Sequence, residues 1–369
     1  MFSKTTTASP LSKARDHVLR RLMLDRQVAF WTNELAPLHA QSGTGSCRAR
    51  VGAIIQETPD TKTFVLQPGR ALTYRAGQYV SVEVEVNGVR MHRCYSLSSA
   101  PGGDEVSITV KRVPDGRVST WLHDHVDVGA ILGLGAPSGD FVLPTDVTGP
   151  LLFVSGGSGI TPLMSMARDL VQRGALRDVV WVHYARSAAD VIFGRELAHL
   201  ARTQPDFRLH LCLDDEPGAP RGFDEARFTA LVPDYASRAA FQCGPGPMMD
   251  RVEQLFDAAG AAGHLKREAF VAAPAHTPSV SPGEPVQVTL LRSERAVIAR
   301  GPGSLLEQLE RAGERPAHGC RVGICHTCRC TKQSGTVENL LSGELSSAPD
   351  QEIQLCITRA HSDLKLDLA

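Results

Sequence analysis

Aromatic residues make up only 5% of the chain, with three tryptophans and five tyrosines. That is too few for the stacking platform on which single-stranded nucleic acids are held. A surplus of one charge is also missing: Lys and Arg number 39 against 40 Asp and Glu, for a net charge of -1. Phosphate backbones are bound by cationic excess, so no nucleic-acid partner is expected. No stretch approaches the roughly 20 consecutive apolar residues of a membrane-spanning helix, so no transmembrane segment is expected either. Lys4, Lys13, Arg15, Arg20 and Arg21 are not followed by an apolar run of secretory-signal length. A cytoplasmic location is the expectation. There is no internal repeat and no G-x-S-x-G nucleophile motif.

What is present is a chain of 369 residues, 42% hydrophobic and 21% charged. That much apolar surface folds rather than staying solvated, and at roughly 150 residues per domain it makes two or three domains. Residues 1–45 stand apart as an N-terminal helical extension. Val18, Leu22 and the run from Leu24 to Trp31 roughly follow helical spacing. Residues 1–50 carry eight Lys/Arg against three acids, so an accessory helix packed on the next domain competes with contact at a membrane surface. Gln41 to Gly45 reads as a short linker.

Residues 46–148 alternate β-rich runs with Gly, Pro and Asn turns: Ala49–Ile55, Thr61–Gln67, Gln78–Val86, Cys94–Ser98 and Val106–Val113. An antiparallel β-barrel is expected, interrupted by one helix over Thr120–His125. From residue 149 to 270 strands and helices alternate instead. Leu151–Val154, Val179–Tyr184, Phe207–Leu213 and Phe241–Cys243 are strand-like, and Pro162–Arg173, Ile192–Thr203 and Pro247–Ala259 helical. This is the pattern of an α/β domain on a parallel sheet. Residues 271–285 hold four prolines and little apolar bulk, a linker. Residues 286–369 open with a strand from Val286, a turn at Ser293-Glu294, a strand over Ala296–Ala299 and a helix near Ser304.

Nine cysteines are present, and Cys320, Cys325, Cys328 and Cys330 lie within eleven positions. An odd count in a long chain does not suit a secreted disulfide scaffold. Cys320, Cys325 and Cys328 stand at C-x4-C-x2-C, and Cys356 follows after 27 intervening residues. One loop thus supplies three thiolates and a distant segment the fourth, the plant-type [2Fe–2S] pattern. Gly319 and Gly323 allow backbone N–H groups to point at the sulfurs. Structural zinc is the competing reading, although zinc sites use two separate close pairs. A Rieske centre would need two His ligands, and His318 and His326 directly flank ligand cysteines. Cys330 is read as a non-ligand.

Gly156-Gly157-Ser158-Gly159 lies between a strand and a helix, where a turn can approach a pyrophosphate; a plain strand-to-helix loop is the alternative. A 2′-phosphate favours a cation and a ribose 2′-OH an acid. The second parallel strand ends in Ala185-Arg186-Ser187, which favours NADPH, with NADH the alternative. Asp190 reads as a helix cap and Arg221 as a second phosphate contact or, more simply, solvated surface. His123 and His125, two apart on a helix, point away from each other and read as surface histidines rather than a metal pair. Asp214-Asp215-Glu216 reads as a solvated loop.

A flavin requires an aromatic cover, a hydroxyl or N–H near its reactive N5, and cations and helix-end amides for its phosphates. Arg93-Cys94-Tyr95-Ser96 and Gly116-Arg117-Val118-Ser119-Thr120 hold residues of those types, with the amides of Val118, Ser119 and Thr120 at a helix start. R-x-Y-S alone also fits an ordinary barrel strand. The order of the motifs says more. R-x-Y-S, G-x-V-S, Pro137-Ser138-Gly139-Asp140-Phe141, the glycine turn with Thr161-Pro162, then Cys243-Gly244-Pro245-Gly246-Pro247-Met248 and the four cysteines resemble the ferredoxin–NADP reductase superfamily. The resemblance runs from about Ala49 to Leu368, and is to its three-domain members that feed electrons to oxygenases, hydroxylases and fatty-acyl desaturases.

That resemblance implies FAD, with FMN as in the phthalate dioxygenase reductase branch as the alternative, and a C-terminal α+β β-grasp ferredoxin domain. It places Arg93 and Ser119 on the flavin pyrophosphate, Tyr95 on the ring and Ser96 at N5. Thr161 and Cys243 would flank the nicotinamide, a buried inert cysteine being the plainer reading of Cys243. The leading helical segment resembles the desaturase branch. The expected activity is an NAD(P)H-dependent oxidoreductase passing electrons from NADPH to FAD, to the cluster and to a protein acceptor. A reductase of a small acceptor such as a quinone is one rival, and a redox sensor or interaction module without turnover another.

Overall fold

The computed structural model describes residues 46–86, 89–114, 116–147, 149–270, 285–301, 303–318, 321, 323 and 328–368. The N-terminal extension, all but residue 285 of the 271–285 linker, and Cys320 and Cys325 lie outside the described residues.

Six strands form the first sheet: β1 Cys47–Thr58, β2 Thr61–Pro68, β3 Tyr79–Val86, β4 Val89–Ser96, β5 Val106–Lys111 and β6 Ile131–Leu134. Their order is β4-β3-β6-β1-β2-β5 and every pairing is antiparallel. A bridge from Leu97, just past β4, to Ile108 in β5 joins the two edges, so the sheet closes as a barrel. Val51, Phe64, Leu66, Val80, Val82 and Ile108 fill its interior. Helix α1 (Arg117–His125) packs on it through Val118 and Leu122. Strand β6 has no counterpart among the runs expected from sequence, because Ile131 to Leu134 is only four residues long and carries a glycine.

The second sheet is wholly parallel: β7 Leu151–Gly156, β8 Val179–Ala185, β9 Phe207–Leu213, β10 Ala239–Cys243 and β11 Leu265–Glu268, in the order β11-β10-β7-β8-β9. Strands β7 and β8 are buried along their whole length, which is why they read as unbroken apolar runs. Helix α2 (Ile160–Gln172) covers one face through Leu163, Met164 and Ala167, whereas Met249, Val252 and Phe256 of a later helix (Gly246–Ala258) cover the other. Residues Gly194–Thr203 form α3 and Glu225–Leu231 α4, making the Gly246–Ala258 helix α5. Phe153, Trp181 and Phe241 meet edge to face on the α2 side.

Barrel and parallel sheet share one core. Ala76, Phe141 and Leu143 of the barrel pack with Phe153 and Leu163. The barrel's Ser98–Ala100 turn is held from α2, since Arg168 Nη1 donates to Ser98 O (2.6 Å) and Ser165 Oγ to Ser99 O (2.6 Å). The two clefts described below open along this seam.

In the third unit β12 (Val286–Leu290) pairs with β13 (Arg295–Ala299), and α6 (Leu305–Arg311) starts from a capping box between Ser304 and Glu307. Strands β14 (Arg329–Ser334), β15 (Val337–Asn339), β16 (Leu345–Ser346), β17 (Gln351–Gln354), β18 (Thr358–Ala360) and β19 (Leu364–Asp367) follow. They complete a five-stranded sheet, β13-β12-β19-β14-β17, and a small one, β16-β15-β18. Helix α6 lies on the mixed sheet, as in an α+β β-grasp arrangement. Among the described residues no helix is long and apolar enough to cross a membrane.

Candidate functional site

The end of β4 and the start of α1 meet in a cleft of about 560 Å³. Arg93, Tyr95, Ser96, Gly116, Val118 and Ser119 line it, together with Ser158 and Thr161 from the parallel-sheet unit. Tyr95 packs against the barrel core, and burial pushes its phenol well above the usual range. Ser119 Oγ accepts from Val113 N (3.1 Å), fixing the loop that enters α1. Thr120 stands back from the cleft: its amide donates to Gly116 O (3.0 Å) within the helix's first turn. Ser96 is 4% exposed, and among the described residues its hydroxyl makes no well-formed hydrogen bond, although the Glu268 carboxyl lies beside it. A buried polar atom in that state requires a partner from elsewhere, and a flavin ring nitrogen suits it. The residues present fit a bound flavin.

His123 corrects the expectation of a surface residue. The side of α1 that carries it faces the barrel, so it is buried, with Nε2 2.8 Å from Val110 O and its ring edge-on to Phe64. His125 is the exposed one of the pair and stacks on Trp121.

Beyond Ser96 lie two residues from the parallel sheet. Cys243 is fully buried, and burial raises its thiol far above the ordinary range. Its neighbour in register on β11 is Glu268. Burial pushes the Glu268 carboxyl up to about 8, partly offset by the Ser96 hydroxyl beside it, and among the described residues its Oε2 has no hydrogen-bond partner. Gly159 is what lets this end of the sheet close, since a Cβ there would stand 2.1 Å from Cys243 O. Phe270 lies two residues past Glu268, lines the flavin cleft and is 38% exposed. Neither Glu268 nor Phe270 belongs to a motif read from the sequence. An acid and an aromatic at the end of the last strand were the only available signal.

The second cleft, about 440 Å³, opens over the carboxyl ends of β7, β8 and β10, where open α/β sheets bind nucleotides. Gly156, Gly157 and Arg186 line it, with Lys111, Arg221, Phe223 and Arg251. Arg221 is therefore exposed and at the pocket wall at once. Arg251 reaches across to donate to Phe223 O (2.6 Å) and lies over the Phe223 ring. Asp214, expected in a solvated loop, is half-buried at the wall and accepts from Gly222 N (2.7 Å). Ser187 and Gly244 sit behind the lining: Ser187 Oγ donates to Asp190 (2.7 Å), and Gly244 packs against Gly156.

Asp190 is not a helix cap. Helix α3 begins only at Gly194, after Phe193 in a left-handed conformation without a side-chain cap. The Asp190 carboxylate instead accepts from Ser187 and Arg186.

In the third unit Cys328 and Cys356 are brought together. Gly323 N donates to Cys356 Sγ (3.3 Å) and Cys356 N to Cys328 Sγ (3.5 Å). N–H groups aimed at sulfur stabilise thiolates and suit an iron–sulfur cluster, so this donor set fits it. Gly323 has φ +83°, and its carbonyl accepts from Gln354 Nε2 (2.9 Å). Cys330 points into the core beside Leu306 and Leu366, where burial raises its thiol to about 12.

The oxidoreductase FAD-binding domain family matches residues 48–143, the oxidoreductase NAD-binding domain family 153–254, and the 2Fe-2S iron-sulfur cluster binding domain family 288–361. An NADPH oxidoreductase of Mycobacterium tuberculosis (strain ATCC 25618 / H37Rv) is 36% identical, over 95% of this chain and 92% of its own. A glycine betaine monooxygenase reductase subunit of Chromohalobacter salexigens is also 36% identical, over 83% and 90%. The solved structure of phthalate dioxygenase reductase, a modular structure for electron transfer from pyridine nucleotides to [2Fe–2S], superposes with a TM-score of 0.60 at 27% identity. That match covers 88% of this chain and 98% of that one. The chain thus belongs to the three-domain ferredoxin–NADP reductase superfamily, as an NAD(P)H-dependent oxidoreductase that carries electrons through FAD and a [2Fe–2S] cluster to a protein acceptor.

Proposed function

We propose that the protein is the NADPH-oxidising reductase component of an oxygenase system, with its flavin unit over residues 46–148, its nucleotide unit over 149–270 and its ferredoxin unit over 286–369. The observation that carries this reading is that the two clefts share a wall. Lys111 lines both, and Ser158 and Thr161, from the nucleotide unit, line the flavin cleft. A nicotinamide ring entering past the glycine turn therefore arrives at the residues assigned to the flavin.

When bound, FAD accepts an electron pair from the reduced nicotinamide and releases it one electron at a time to the [2Fe–2S] cluster. The chain's own residues supply binding and orientation. Arg93 and Ser119, with the amides of Val118 and Ser119, hold the flavin pyrophosphate at the start of α1. Tyr95 and Phe270 cover the ring, and Ser96 hydrogen-bonds its N5. Thr161 and Cys243 position the nicotinamide, and Glu268, protonated over much of the neutral range, keeps an uncharged carboxyl beside the Ser96 hydroxyl. Gly156, Gly157 and Gly159 form the pyrophosphate turn, while Arg186 faces the 2′-phosphate with Ser187 behind it. Cys320, Cys325, Cys328 and Cys356 hold the cluster. The glycine betaine monooxygenase reductase subunit among the relatives supports an oxygenase component as acceptor over a desaturase.

Stopped-flow mixing of the anaerobic protein with NADPH tests the reading. Flavin bleaching followed by cluster reduction is expected, with turnover faster on a purified oxygenase than on a quinone. A spectrum that does not change on mixing would end the proposal.

A further inference from the structure

The residues assigned to the 2′-phosphate are already occupied by a carboxylate. Arg186 lies just past the end of β8 at the mouth of the nucleotide pocket, and its guanidinium meets Asp190 Oδ1. The other Asp190 oxygen accepts from Ser187 Oγ at 2.7 Å. One carboxylate therefore engages both the cation and the hydroxyl. A second carboxylate approaches from the barrel: Asp60 Oδ2 is 3.5 Å from Arg186 Nη2. Asp60 is held in place, since its Oδ1 accepts from Thr58 Oγ1 (2.9 Å) and Thr61 Oγ1 (3.0 Å) and Lys111 Nζ is 3.4 Å from its Oδ2. Its carbonyl accepts from Arg112 N (2.7 Å), tying the turn to the end of β5.

We propose that Asp60, Arg186 and Asp190 form a coenzyme selector, in which the two carboxylates compete with a 2′-phosphate for Arg186 and Ser187 and so set the preference between NADPH and NADH. The inference rests on the functional reading above for the identity of the pocket. The Arg186 side chain is 66% exposed, so these ion pairs are screened and individually weak. A phosphate monoester carries close to two negative charges near neutral pH and three acceptor oxygens, enough to displace one carboxylate from an exposed guanidinium. With NADH no such group arrives, and Asp190 stays where it can accept a hydrogen bond from the ribose 2′-OH. The same three residues thus serve both coenzymes, with the balance set by how much negative charge the 2′-phosphate meets. Asp60 belongs to the flavin unit and Arg186 to the nucleotide unit, so a phosphate that draws Arg186 away also releases a contact between them.

The test compares kcat/KM for NADPH and NADH, with ferricyanide as acceptor, in the FAD-loaded wild type and in Asp190→Asn, Asp60→Asn and Arg186→Ala. Calorimetric binding of 2′,5′-ADP and 5′-ADP accompanies it. Asp190→Asn is expected to raise the NADPH-to-NADH ratio about tenfold and Asp60→Asn about threefold, the scale of removing one competing charge at an exposed site. Both should tighten 2′,5′-ADP without tightening 5′-ADP, and in an Arg186→Ala background neither should have an effect. The selector is refuted if wild type turns over but the ratio stays put, or moves toward NADH, in both Asn variants. A wild type whose flavin is reduced by neither coenzyme overturns the functional reading instead. Asp60 lies in the barrel, away from the fold around Asp190, so its variant decides the matter where Asp190→Asn folds poorly.

Discussion

Cys243 and Glu268 are register partners on adjacent parallel strands, Cys243 fully buried and Glu268 half-buried with its carboxyl Oε2 shut away from solvent, at the sheet end that faces Ser96. A carboxyl in this position favours its protonated form, because burial penalises the charge.

The sign of the resulting pH dependence follows from the direction of the shift. Glu268 is raised from 4.5 to about 8, so between those values the unfolded chain releases a proton that the folded chain keeps. Its contribution to stability is full below pH 4.5 and is lost as pH rises through 8. Over that window the loss is roughly 3–5 kcal/mol. Thermal melting between pH 5 and 9 should show a steeper decline in wild type than in Glu268→Gln, and parallel curves would count against a buried, protonated carboxyl.

The opposite slope is expected from His183. Trp181 Nε1 donates to Ser155 Oγ (2.8 Å), which lies 2.7 Å from His183 Nδ1, all three side chains fully buried on one face of the parallel sheet. Burial lowers His183 from 6.5 to about 4, so its contribution is full above pH 6.5 and is lost as pH falls through 4. Ser155→Ala leaves the Trp181 N–H buried without an acceptor, at a cost of about 1–3 kcal/mol. A fall of several degrees in Tm is expected for that variant, and an unchanged Tm would show that the Trp181 N–H finds another partner.

Ser96→Ala removes a hydroxyl that makes no well-formed hydrogen bond among the described residues and only partly offsets the raised Glu268 carboxyl, so the apo fold should be nearly as stable as wild type. Loss of one hydrogen bond at the reacting ring is expected to slow flavin reduction by NADPH about 10- to 100-fold, with little change in FAD content. A variant that reduces its flavin at the wild-type rate would remove Ser96 from the mechanism.

What could be read from the sequence was the chemistry packed into short contiguous stretches. The glycines from Gly156 to Gly159, the Arg93–Ser96 run and the cysteine spacing each carry their geometry locally. Glu268, Phe270 and Lys111 do not: they reach the clefts through the pairing of β11 with β10 and the packing of barrel on sheet, which no local pattern reports. His123 fails for a related reason. Two positions on a helix two residues apart point in different directions, but spacing alone does not say which faces the barrel. Asp190 reads as a cap because a polar residue ahead of a helix is usually one, whereas here Phe193 takes the cap position in a left-handed turn.

The cluster loop offers the sharpest separation of functions. At Gly323 the backbone has φ +83°, and a Cβ would lie 2.9 Å from Ile357 Cγ2, so Gly323→Ala is both strained and crowded. The strain alone costs about 1 kcal/mol or more. Displacement of the loop also withdraws the N–H that Gly323 gives to Cys356 Sγ. Purified Gly323→Ala should hold less iron per flavin and show a weakened EPR signal after reduction. Ferricyanide reduction, drawn directly from the flavin, should persist while reduction of a protein acceptor falls at least tenfold. Adding Ile357→Ala relieves the crowding but not the backbone strain, so iron content should recover in part. Full iron content in the single variant would mean that the loop tolerates a side chain at Gly323 and that the N–H to Cys356 is not what holds the thiolate.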